Sequence, residues 1–124
     1  MDKQIDEVLE AIVRIPHDFS KGNTSEYLLL QESGYFKFYK QIHAEDIKEI
    51  LKKHPHLIDE WLRWSDDNRS STKWYFTKGE DGKCFVGYWP DGKEFEEINT
   101  SDEFYACSIF IKNKIESTRI LFKK

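Results

Sequence analysis

Residues 72–103 read TKWYFTKGEDGKCFVGYWPDGKEFEEINTSDE. The run Lys73-Trp74-Tyr75-Phe76-Thr77 is β-branched and aromatic, the composition that fits a pleated, half-buried surface. Glu80-Asp81-Gly82 follows, and Asp-Gly is a hairpin turn signal. Lys83 to Trp89 then reads as a second strand, Pro90-Asp91-Gly92 as a second turn, and Lys93 to Ile98 as a third strand. Phe95 and Ile98 differ in parity, so the third strand ends or bulges between them. Gly87, inside the second strand, marks a bulge or a close backbone approach. Three strands joined by two short turns predict an antiparallel meander within about Thr72–Asn99. A small meander needs a cover for its apolar face. The next segment supplies one. Thr100-x-x-Glu103 has the form of a capping box, and the helix it opens, near Ser101, carries Phe104, Cys107, Ser108, Ile111, Ile115 and Phe122 on one stripe. Ile109, Phe110, Ile120 and Leu121 widen that stripe, which predicts a helix packed on more than one side.

Upstream of residue 72 the period is helical. Ile5, Val8, Leu9 and Ile12 repeat at 3.6-residue spacing, which predicts a helix over Asp2–Ile15. Asp2 caps it, and Pro16 ends it, because the residue before a proline avoids the α region. His17–Asn23 reads as a loop. Thr24 or Ser25 caps a second, short helix through Leu28 and Leu29, with Gly34 at its end; the alternative is an extended Glu26–Phe36. Tyr35-Phe36-Lys37-Phe38-Tyr39 reads as a short strand or an ordered connector. Ala44–Lys53 is a helix with acids in its first turn and lysines in its last, complementing the helix dipole. His43 stands at its N-cap position, where histidine is a poor cap. Pro55 suits the first position of a further helix, whose stripe is Leu57, Ile58, Trp61, Leu62 and Ser65. The expected fold is therefore α+β: about four N-terminal helices, then a three-stranded antiparallel meander with a C-terminal helix packed on it, all in one domain over residues 1–124.

Composition bounds the function. The chain has 124 residues, 19 Lys and Arg against 23 Asp and Glu, and a formal net charge of −4, which argues against a nucleic-acid partner. Leu, Ile, Val and Phe make up about 26% of it, above the roughly 20% below which disorder is expected. There is neither an apolar run long enough to span a membrane nor a signal-peptide pattern, so a cytoplasmic location is expected. Cys84 and Cys107 sit among apolar neighbours and read as two small buried hydrophobes. His17, His43, His54 and His56 read as surface or turn residues, since His54 and His56 at i, i+2 around a proline share no helix face. No metal, cofactor or catalytic motif stands out, and a non-enzymatic role is expected.

Two segments are candidate sites. The first is charge-biased: Asp91, Glu94, Glu96, Glu97, Asp102 and Glu103 oppose Lys93 alone, a balance of −5 over residues 91–103. Such a patch steers a basic partner, and Tyr88 and Trp89 beside it supply aromatic anchors of the kind that dominate interfaces. The plainer reading is a solvated sheet edge, where charge opposes aggregation. The second candidate is the polar loop at Trp64–Trp74, where Asp66, Asp67, Arg69, Trp64 and Trp74 outline a small-ligand site or a minor enzyme. Its plainer reading is a structural corner, with Asp66, Asp67 and Asn68 ending a helix and Arg69 pinning the turn.

The stretch Ser65-Asp66-Asp67-Asn68-Arg69-Ser70-Ser71, followed by Trp74-Tyr75-Phe76, resembles a recurring pattern in small bacterial proteins. In size, acidity and mixed α+β make-up the chain is similar to cytosolic immunity proteins of bacterial toxin systems. That resemblance implies a protein that neutralises a cognate toxin, often a basic nuclease, by covering its active site; it carries no residue roles across. The expectation is thus an immunity-type inhibitor of a basic protein toxin. A structural subunit that homodimerises through the aromatic sheet face is a third reading.

Overall fold

In a computed structural model the residues described are 3–19, 25–67, 74–88 and 97–121. Helices α1 (Lys3–Val13), α2 (Ile15–Phe19), α3 (Glu26–Ser33), α4 (Tyr35–Phe38), a 3-10 turn (Tyr39–Gln41), α5 (Ala44–Lys53) and α6 (Leu57–Asp67) precede strands β1 (Trp74–Lys78), β2 (Cys84–Tyr88) and β3 (Ile98–Thr100). Helix α7 (Glu103–Leu121) closes the described chain. The fold is the α+β arrangement expected: helices first, then a three-stranded antiparallel sheet in the order β1-β2-β3, then a helix packed on it.

The helical half is more subdivided than its hydrophobic period suggests. Pro16 does not end helical structure. It lies in the first turn of α2, where its missing N–H has no partner to lose, so residues 17–19 continue a helix instead of opening a loop. Ser25 is the cap of α3, accepting from Leu28 N at 3.1 Å, and Gly34 ends it at φ 93°. This backbone angle suits glycine, and it lets the chain re-enter a helix at once. The aromatic run at residues 35–39 is therefore helical rather than extended. At α5, Asp46 reaches back to the His43 N–H at 2.9 Å, supplying the reciprocal half of a capping box that histidine alone does not. Pro55 lies in the turn before α6, which begins at Leu57, so α5 and α6 meet at a tight corner at His54–Pro55.

The described part of the third strand, β3, is Ile98–Thr100, which runs two residues past the expected end at Ile98 and pairs as Cys84↔Thr100, Phe85↔Asn99 and Val86↔Ile98; residues 89–96, on which most of the expected strand falls, lie outside the described segments. Thr100 consequently belongs to the sheet, and Asp102 caps α7 in its place, accepting from Tyr105 N at 3.1 Å. Thr100 Oγ1 instead accepts from Asp102 N. Strand alternation sets the two faces of the sheet. Phe76, Cys84 and Val86 are buried against α7, while Thr77 and Asn99 are exposed and Tyr75 and Phe85 half-buried on the other side. Gly87 pairs with Tyr75 without a bulge. It is a close approach: a Cβ there would fall 2.5 Å from Tyr75 Cζ, so only glycine lets the tyrosine ring lie across the neighbouring strand.

Helix α7 is buried on two sides, as its wide stripe requires. Phe110 meets Phe76 of β1 and Trp61 of α6, with ring centroids 5.6 and 6.1 Å apart. Its opposite side packs on α5. Trp61 is wholly buried and donates from its indole N–H to Val13 O at 2.9 Å. The outer backbone edge of β1 is occupied as well, because Phe76 N donates to Ser65 Oγ of α6 at 2.8 Å. Filling an edge donor in this way blocks strand addition there. Both cysteines are free and buried, and burial pushes both thiols above their ordinary range, which suits an inert, packed role.

Candidate functional site

The described acids of the acidic segment, Glu97, Asp102 and Glu103, divide between two places on the molecule. Glu97 precedes β3 and is exposed on the side of the sheet away from α7. There Tyr75 Oη donates to Glu97 Oε2 at 2.5 Å, spanning the strand at Gly87. Partial burial, and then the carboxylate, push the Tyr75 hydroxyl up to about 12, so it stays a donor. Asp102 and Glu103 sit instead at the start of α7, where the unpaired N–H groups of a first turn favour negative charge. The Tyr105 N–H holds the Asp102 carboxyl below the usual range, and Lys48, at 3.5 Å, adds to this. Glu103 pairs with Lys78 at 2.7 Å. Both acids at the helix end thus have a lysine partner, whereas Glu97 has a neutral hydroxyl. Tyr88 closes β2 opposite Trp74, and Trp89, Asp91, Glu94 and Glu96 lie outside the described residues.

The residues of the Trp64–Trp74 candidate act as ties between elements. Trp74 donates its indole N–H to Ser117 Oγ of α7 at 2.8 Å. Trp64 takes Phe19 edge-on at 4.8 Å between centroids and carries the buried Lys114 ammonium over its ring at 5.8 Å. Its own indole N–H is buried and has no hydrogen-bond partner among the described residues. Asp66 and Asp67 form the end of α6, and Arg69 lies outside the described residues. His43 and His56 are exposed and His54 lies at the α5–α6 turn, as expected, while His54 and His17 also have acidic partners. His54 Nε2 contacts both oxygens of Glu10, at 2.7 and 2.8 Å, fastening the α5–α6 corner to α1. His17 stands 3.5 Å from Glu60. Among the described residues no group of three or more His, Cys, Asp or Glu is placed to hold a metal ion, and no helix is long and apolar enough to cross a membrane.

One cluster escapes the sequence reading. The fully buried Tyr35 donates its hydroxyl to Glu116 Oε2 and accepts from Lys112 Nζ at 2.8 Å. Lys112 also donates to Ile42 O at 2.7 Å. Arg119 grips both Glu116 oxygens, at 3.0 and 2.9 Å, and its guanidinium lies 3.8 Å from the Tyr39 ring centroid. Burial alone would raise the Glu116 carboxyl. Hydrogen bonds from Arg119 and Tyr35, together with the Lys112 charge, outweigh it and hold Glu116 below the ordinary range. The same burial lowers Lys112 and keeps Tyr35 protonated far into alkali. With donors and acceptors matched, this is a clamp fixing α4 and the 3-10 turn to α7. Its sequence trace is the Lys112, Glu116, Arg119 spacing on one helix face; nothing local points to Tyr35 as the fourth member.

The clamp makes stability depend on pH. A carboxyl lowered in the folded state contributes stability that is present above its unfolded value of about 4.3 and is lost as pH falls through the folded one. Glu116→Gln removes that contribution, so the variant should be less stable than the parent by about 1–2 kcal/mol at pH 7. The gap should narrow towards pH 3. Urea midpoints at the two pH values measure it, and a gap independent of pH would contradict the clamp.

Comparisons with protein-family models, with curated proteins and with solved structures find no match to this chain.

Proposed function

We propose that this chain is a non-enzymatic binding protein of the immunity type, which neutralises a basic protein toxin by covering it. The observation that carries the reading is Glu97: an exposed carboxylate on the outer sheet face, within a strongly acidic segment and paired, among the described residues, with a neutral hydroxyl rather than a cation. A charge left uncompensated in this way is available to an incoming one. The surplus of acids over residues 91–103 would raise the encounter rate with a basic surface, and the aromatic residues beside it would supply the desolvated contacts that hold a complex together. Other groups able to do chemistry, the Tyr35–Glu116 clamp and the His54–Glu10 pair, are committed to holding helices in place. The proposed setting is the cytoplasm, where two free thiols stay reduced.

The test is inhibition by titration. A candidate basic protein toxin is assayed while purified chain is added. A 1:1 end point with activity abolished is the expected result. Full toxin activity at a several-fold excess of chain would reject the proposal.

A further inference from the structure

The described acids of the acidic segment lie in two regions of the molecule, and the geometry favours one as the receiving surface. Helices α7 and α6 occupy the inner face of the sheet and the β1 edge. The outer face presents Tyr75 and Phe85, both half-buried, among the exposed Thr77, Asn99 and Glu97. Gly87 lets the Tyr75 ring lie low across β2, and the ring's hydroxyl anchors Glu97 from one side. The carboxylate is thereby oriented in advance, and among the described residues its other oxygen, Oε1, accepts no hydrogen bond. In sequence, residues 91–97 hold four acids against one lysine. At the other region the cations Lys48 and Lys78 already answer Asp102 and Glu103.

We infer that the outer sheet face around Tyr75, Phe85 and Glu97 is the docking surface for the basic partner, with Glu97 as the receptor for an arginine side chain. This inference rests on the reading of the chain as a binder of a basic protein. Arginine fits for two reasons. Its planar fork matches a carboxylate held at a fixed angle, and a carboxylate oxygen that accepts one hydrogen bond from Tyr75 retains a lone pair for a second. Guanidinium also stacks on aromatic faces and is weakly hydrated, whereas the compact lysine ammonium holds its water. Tyr75 and Phe85, diagonal neighbours across the β1–β2 pair, offer such faces beside the carboxylate.

The probe is a capped hexa-arginine peptide, titrated into the full chain and followed by backbone amide shifts. Shifts centred on Tyr75, Phe85, Gly87, Glu97 and Asn99 are expected. Glu97→Gln, which keeps an acceptor for Tyr75, should weaken binding by about threefold to tenfold. Tyr75→Phe, which keeps the ring and frees the carboxylate, should also weaken it. Glu103→Gln should change it by less than about twofold, because its charge is already answered and exposed pairs contribute little. Shifts centred on Asp102 and Glu103 would overturn this inference while leaving the basic-partner reading standing. Hexalysine binding as tightly as hexa-arginine would overturn the assignment to arginine. An absence of shifts anywhere would overturn both the surface and the reading beneath it.

Discussion

Trp61→Ala should destabilise the fold by about 4 kcal/mol, the upper range for emptying a core position. Trp61 is wholly buried where α6 meets α7, with Phe110 and Trp64 against its ring. Truncation opens a cavity among large rigid rings that cannot easily collapse into it. It also strands Val13 O, which accepts the indole N–H at the end of α1, and an unsatisfied buried acceptor adds about 1 kcal/mol or more. Domains of this size are stable by only about 5–15 kcal/mol, so a melting point lower by about 15 °C is expected. Trp61→Phe separates the two contributions, since it keeps much of the volume and loses the hydrogen bond. It should fall between the parent and the alanine variant. Thermal melts followed by circular dichroism make the comparison, and an alanine variant melting within a few degrees of the parent would show that α6 is not held through this residue.

The fold was legible because its signals are local and mutually consistent. Asp81-Gly82 turns the chain between β1 and β2, and the wide apolar stripe of the last helix matches a helix packed on two sides. Where the reading slipped, a tertiary contact or an equivalent neighbour outweighed the local rule. Thr100 and Asp102 are both good caps, and the pairing of Thr100 with Cys84 leaves the capping to Asp102. Residues 35–39 alternate weakly like a strand, yet Tyr35 is drawn beneath α7 by Glu116 and Lys112, partners some eighty residues away that no window reveals. Pro16 could break a helix or start one. Arg14 lets it start one, by accepting at its carbonyl from Asp18 N at 2.9 Å.

The candidate site was legible in composition and not in arrangement. The acid count over residues 91–103 marks the region, but separating Glu97 from Asp102 and Glu103 requires knowing that Lys48 and Lys78 arrive from α5 and β1. Gly87 was readable as a close approach. That the approaching group is Tyr75, and that its hydroxyl holds Glu97, follows only from the register Tyr75↔Gly87.

The central claim is that this chain captures a basic partner through its acidic sheet-side surface. The most direct measurement is the association rate of the double variant Glu94→Lys with Glu97→Lys, compared with the parent chain, on a candidate basic protein toxin, at low and high salt. The double reversal takes the formal charge from −4 to about zero. Electrostatic steering changes association rates by about 10–1,000-fold, so a loss of at least about tenfold is expected in dilute buffer. At about 1 M salt the Debye length falls to about 3 Å, and the two on-rates should converge. The melting point should stay within a few degrees of the parent value, because Glu97 is exposed and exposed charges contribute little to stability. Equal on-rates at low salt for a folded variant would contradict the claim and leave these acids as the solvated edge of a sheet.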